Sequence, residues 1–172
     1  MPRGLKPNKL FPKPTWREWL LYRLIPYMVK LEGNKWDGKI HGLECMLRRN
    51  KRAMHWHAFV RVPDYHKYWG KDLDECYHMP QCIAPKGEKH KCVHRLSQIK
   101  GIHGGISYVG KLKNHEGWWI GIDFGHEGDL SPTTLKILGT EVGRMPPYRT
   151  LSYARTELEK LAAIVKQHSW NA

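Results

Sequence analysis

Three groups of residues have the types and spacing to do chemistry. Asp123, His126 and Asp129 follow at three-residue intervals from the end of the apolar run Trp118 to Phe124, through a loop that Gly125 and Gly128 leave free to bend. With His103 from the neighbouring run they offer carboxylate oxygens and imidazole nitrogens. Such a set suits a divalent cation or a general base for phosphoester hydrolysis, with Lys111 and Lys113 to hold a phosphate. The same side chains have an ordinary use, in which the aspartates accept from loop amides and the imidazoles satisfy each other or buried backbone. In the second group, His55 and His57 flank Trp56; alternate residues of a strand face one way, so both imidazoles could share one cation. The third group is Cys76, His78, Cys82, His90, Cys92 and His94. Four of these, Cys76, His78, Cys82 and Cys92, would make a tetrahedral structural zinc site, although the spacing lacks the paired ligands of a zinc knuckle, and free thiols with surface histidines are the alternative.

The elements that must position these groups are legible from periodicity. Thr15-Trp16-Arg17-Glu18 is a capping box that starts a helix over 15–25, with Pro26 ending or kinking it. Residues 32–42, rich in glycine, read as a loop. Alternation predicts strands over 43–49 and 53–62, joined as a hairpin through the basic turn at Asn50 to Arg52, and apolar runs predict two more over 102–109 and 118–124. Ser131-Pro132 opens a short helix. A long helix over 148–168 carries Leu151, Ala154, Leu158, Leu161, Ala162 and Val165 on one stripe. The expectation is an α+β chain: a basic arm over 1–14, then one domain over 15–172 in which an antiparallel sheet of four or five strands is covered by the first and last helices. The Cys/His loop lies at about 76–94.

Composition narrows the partner. The 172 residues hold 29 Lys+Arg against 16 Asp+Glu, a formal charge of +13, which favours a polyanion: nucleic acid, a phosphorylated nucleotide, or a host protein with an acidic surface. Arg48, Arg49, Lys51, Arg52 and Arg61 interleave with Phe59, Tyr65, Tyr68 and Trp69, as cations for phosphates beside rings for stacking on bases. Ordinary packing is the competing use of those rings. No apolar run approaches 18 residues and no signal-peptide core opens the chain, which predicts a cytoplasmic protein with no membrane partner.

Two resemblances add to this reading. His103-Gly104-Gly105-Ile106-Ser107-Tyr108, then Trp118-Trp119-Ile120-Gly121-Ile122-Asp123 with His126 and Gly128-Asp129, then Tyr148-Arg149-Thr150-Leu151, resemble a family of small phage and prophage proteins without an assigned function. The likeness runs upstream to Arg48-Arg49-Asn50, Trp56 and Val62-Pro63. Where that family reads Phe-Asp-Cys-Ala-His, this chain has Ile122-Asp123-Phe124-Gly125-His126, and the family lacks the histidine pair around Trp56. The resemblance implies a phage-type accessory protein, acting in the host cytoplasm and countering host defence. Separately, His55-Trp56-His57 is similar to the His-hydrophobe-His metal motif of rolling-circle replication initiators. That likeness implies Tyr108 as a nucleophile that holds a 5′ end covalently, with Lys111 beside it, but no matching first motif lies upstream. The leading expectation is a polyanion-binding protein using the basic aromatic face. The alternative is a metal-dependent phosphoesterase or nuclease using Asp123, His126 and Asp129.

Overall fold

The computed structural model describes residues 15–75, 95–138 and 146–169. Helix α1, Trp16–Glu32, opens on the capping box, with the Thr15 hydroxyl accepting from the Glu18 amide and the Glu18 carboxylate accepting from the Thr15 amide. It continues past Pro26 to Gly33, whose φ of 72° ends it, so the helix extends beyond the expected 15–25. Proline removes one backbone hydrogen bond, and tertiary anchoring on both sides of it outweighs that loss. Tyr22, Ile25 and Val29 pack with Leu130, Leu135 and Tyr148, and Glu32 is tied down by Arg49. The outward stripe of Trp16, Leu20, Leu24, Tyr27 and Leu31 stays exposed.

The segment read as a loop holds strand β1, Lys35–Ile40. Its glycines have different tasks. Gly33 caps α1; Gly42, with His41, forms a two-residue turn in which both φ values are positive, the geometry that joins tightly twisted strands. Gly38 lies inside the strand because the Trp36 indole crosses it, at a position where a Cβ would be 2.6 Å from the ring. Strand β2, Leu43–Arg49, pairs with β1 and with β3, Trp56–Val62. Residues 53–55 belong to the turn, where Met54 takes a φ of 64°. Strand β4 is only Tyr108–Gly110, because Gly101, Gly104 and Gly105 take positive φ and coil the residues before it. Strand β5 is Trp118–Asp123, followed by α2, Pro132–Leu138, with the Ser131 hydroxyl accepting from the Thr134 amide, and by α3, Leu151–Ser169.

The fold is α+β, as expected. The five strands form one antiparallel sheet in the order β1-β2-β3-β5-β4. Helix α3 lays Ala154, Leu158, Leu161, Ala162 and Val165 on the face formed by Cys45, Leu47, Ala58, Val60 and Ile122, and this is the main core. The Cys45 thiol is buried there and pushed up to about 12 by that burial, so it behaves as a small apolar group. Met46, Phe59 and Trp119 point the other way and form a small cluster to which, among the described residues, no helix contributes.

Arg49 joins the helices to the sheet. Its guanidinium pairs with Glu32, donates to the carbonyls of Gly33 (2.8 Å) and Met54 (2.7 Å) and to the Tyr148 hydroxyl (2.7 Å), and lies 4.1 Å from the Trp56 ring centre. Arg49 is therefore buried structure and not part of an anion-binding surface. Removing one partner of a buried pair strands the other, so Arg49→Ala is expected to cost about 3–5 kcal/mol in urea unfolding. Lys51→Ala, two residues on and exposed, should stay within ~0.5 kcal/mol. Equal stabilities of the two variants would refute the role given to Arg49.

Candidate metal centre on the open sheet face

The register decides which polar residues meet. His57 on β3 lies directly opposite Asp123 on β5, and both alternate with core residues, so both stand on the helix-free face. The turn before β3 is closed by Asn50, which donates to the His55 carbonyl, accepts from the Met54 amide and caps the Arg52 and Ala53 amides with its side chain. This tight return brings His55 over the same spot. The Nε2 atoms of His55 and His57 are 2.9 Å apart, and Asp123 Oδ1 is 3.1 Å from the first and 3.8 Å from the second. One ligand atom from each residue lies within 4.8 Å of the others. The Gly125 amide donates to Asp123 Oδ1 at 2.7 Å and fixes the carboxylate.

The electrostatics suit a cation. Burial works to raise the Asp123 carboxyl, but the hydrogen bond from His55, the charges of both imidazoles and the Gly125 amide outweigh it and bring it down to about 2. Burial lowers the His57 imidazole below its ordinary 6.5, partly opposed by the Asp123 carboxylate and helped by His55. A carboxylate and a neutral imidazole are the forms that bind metal, and burial favours that form of His57. The His57 and Asp123 side chains are about one-third exposed, at 30% and 36%, so a bound ion would keep positions open to solvent or substrate.

A second cluster forms on the other side of β5. His103 Nε2 donates to Asp129 Oδ2 at 2.7 Å, and His126 Nδ1 is 3.9 Å from that oxygen. The four residues read as one group from sequence are therefore divided: Asp123 joins His55 and His57, while His103, His126 and Asp129 stay together. The signal for the first grouping was present in the His-x-His alternation and the aspartate ending a strand. It needed the β3–β5 pairing to become a site.

The expected anion-binding residues are scattered. Arg48 bonds Asp37 and the Trp36 and Leu47 carbonyls, and Arg61 pairs with Glu44 at 3.1 Å, so both are already partnered on the open face. Lys51 and Arg52 are exposed in the turn beside His55. Phe59 is packed between Met46, Trp119 and Tyr108, and Tyr68 is fully buried against His168, so neither ring is free for a base; Tyr65 is open and Trp69 partly so. Lys111 and Lys113 are exposed in the loop after β4. Tyr108 lies on the open face level with Gly121 and Phe59, two residues along β3 from His57, and its hydroxyl turns to the Lys111 carbonyl at 2.8 Å. Cys76, His78, Cys82 and Cys92, the expected zinc ligands, lie outside the described residues.

Two outcomes follow from this geometry. A Cβ at Gly125 would be 2.6 Å from the His55 ring, while the backbone there needs no positive φ. Gly125→Ala should thus weaken divalent-metal binding at least tenfold by calorimetry, by displacing His55, with little change in far-UV circular dichroism. Because His57 is lowered in the fold, the unfolded chain takes up its proton first. The metal-free protein should lose stability as pH falls below 6.5, and metal affinity should fall over the same range as protons compete. A His57→Asn variant that kept both pH dependences would remove His57 as their source.

No protein-family model matches this chain, and no curated protein or solved structure matches it either.

Proposed function

We propose that this protein binds a nucleic-acid strand across the open sheet face and cleaves a phosphodiester bond with a divalent ion held by His55, His57 and Asp123. The observation that carries this reading is the meeting of two imidazoles and one carboxylate at one end of a sheet face that no described helix covers. Lys35 and Lys39 on β1 share that face, and Lys51 and Arg52 flank the cluster, so phosphates have cations to follow into it.

An ion at the cluster would supply Lewis-acid polarisation of a phosphoryl oxygen and a lowered pKa for water. The protein's part is to hold the ligands in place. The Gly125 amide orients Asp123, the strand pairing sets His57 against it, and the turn fixes His55. In the reaction water oxygen bonds to phosphorus, the ester oxygen leaves, and one proton is released, giving a phosphomonoester and a hydroxyl end. The turned-away hydroxyl of Tyr108 favours water over tyrosine as the nucleophile.

Labelled single-stranded DNA or RNA, incubated with the protein and Mn²⁺ or Mg²⁺, should be shortened, and chelation should stop the reaction. Asp123→Asn and His57→Asn should each lower the rate by more than the roughly 10–100-fold that loss of a supporting partner costs, with small changes in Tm. Tyr108→Phe should cut normally; loss of cutting together with loss of a covalent 5′ adduct would make Tyr108 the nucleophile instead. Salt-sensitive binding without cleavage under any metal would leave a binding protein and overturn the catalytic reading.

A further inference from the structure

We infer that His103, His126 and Asp129 form a second divalent-metal site, of the zinc class, that pins the loop after β5 to helix α3. The outward atoms of Asp129 and His103 each have a partner that orients them. Asp129 Oδ1 accepts from Arg149 Nε at 2.6 Å, and His103 Nδ1 lies 3.1 Å from the Tyr153 hydroxyl, both partners coming from α3 or the residues leading into it. The inward atoms, Asp129 Oδ2, His103 Nε2 and His126 Nδ1, lie within 4.8 Å of one another, the first two joined at 2.7 Å. Metal-binding side chains are held in this manner, with the far atom of each ligand bonded to a second layer.

Two observations favour an ion over a plain hydrogen-bonded cluster. His126 Nδ1 is buried without a partner and sits 3.9 Å from Asp129 Oδ2, too far for a hydrogen bond. Ligands about 2.0–2.1 Å from a tetrahedral zinc are roughly 3.3 Å apart, so an ion between these atoms would need shifts of only several tenths of an ångström and would give the nitrogen its partner. The backbone is also shaped for the ring. Gly104 has a φ of 63°, and a Cβ there would lie 2.2 Å from His126 Cε1, so this position excludes any side chain on two counts.

The site is distinct from the one on the open face. His103 stacks on Phe124, whose ring is in the main core, at 5.1 Å, so this cluster lies on the α3 side of β5. The Asp129 and His103 side chains are only 2% and 11% exposed, against 36% for Asp123, while His126 stands at the rim at 35%.

The test uses full-length protein freed of metal with a chelator, in a background where His57→Asn, Cys76→Ser, Cys82→Ser and Cys92→Ser disable the two other candidate sites. Zinc should still bind at about one equivalent and raise the Tm, and cobalt should give visible absorption without a thiolate band. Adding His126→Ala should abolish both the bound equivalent and the Tm rise, yet leave the metal-free protein as stable as its parent or more so, since the unpartnered nitrogen is gone. His126→Gln serves as the second variant and should behave alike. Zinc binding and a Tm rise unchanged by both His126 variants, or no zinc binding by the background protein, would overturn the inference and leave Asp129, His103 and Tyr153 as a hydrogen-bonded chain.

Discussion

The pairing of Arg49 with Glu32 is the contact on which the other elements depend. Glu32 is the last residue of α1, and its carboxylate serves three groups: Arg49 at the end of β2, the Tyr148 hydroxyl at 2.7 Å, and the Leu151 amide at 2.9 Å. The last of these opens α3, where a carboxylate satisfies an amide with no intrahelical partner and complements the positive end of the helix. One ion pair thus sets where α1 ends, where α3 begins and how both meet the sheet. Burial raises the Tyr148 hydroxyl well above its ordinary value, with the bond to Glu32 adding to this and Arg49 opposing it, so the hydroxyl remains a donor.

With α3 fixed at its start, its apolar stripe can cover only one face of the sheet. His66 reinforces that docking further along, bonding the Val165 carbonyl at 2.9 Å through Nε2 and accepting from the Tyr68 amide at 3.0 Å. The opposite face is left with three bands. At one end Arg61 and Glu44 pair, in the middle Met46, Phe59 and Tyr108 pack, and at the other end His57 meets Asp123. Positive charge is therefore not spread evenly over this face. Arg48 and Arg61 are neutralised locally and Arg49 is inside, so the cations open to an anion include Lys35 and Lys39 on β1 and the turn residues Lys51 and Arg52.

Strand β5 carries both candidate centres because the chain crosses from one side of the sheet to the other as it leaves. Asp123 is the last strand residue on the open side, Phe124 points into the core, and Gly125 permits the His55 ring to approach. His126 and Asp129 then fall on the α3 side. A three-residue interval that suggests one site along the chain becomes two sites because the strand ends between its members.

Periodicity alone determined the α+β class, the β2–β3 hairpin, the apolar stripe of α3 and the capping box of α1, since each depends on neighbours a few residues apart. Residue type and three-residue spacing placed His103, Asp123, His126 and Asp129 among the residues worth attention, but could not divide them. Tertiary structure decided the rest. Strand β1 was hidden because its glycines read as a loop until Trp36 was seen to lie over Gly38 and the turn at His41-Gly42 to close a hairpin. Helix α1 continued past Pro26 because distant residues, Leu130, Leu135 and Arg49, hold both of its halves. Arg49 looked like its basic neighbours, and only the arrival of Glu32 and Tyr148, 17 and 99 residues away in sequence, made it internal. The partnership of His57 with Asp123 rests on a strand register between segments far apart in sequence, and local side-chain spacing carries no record of a register that long-range pairing sets.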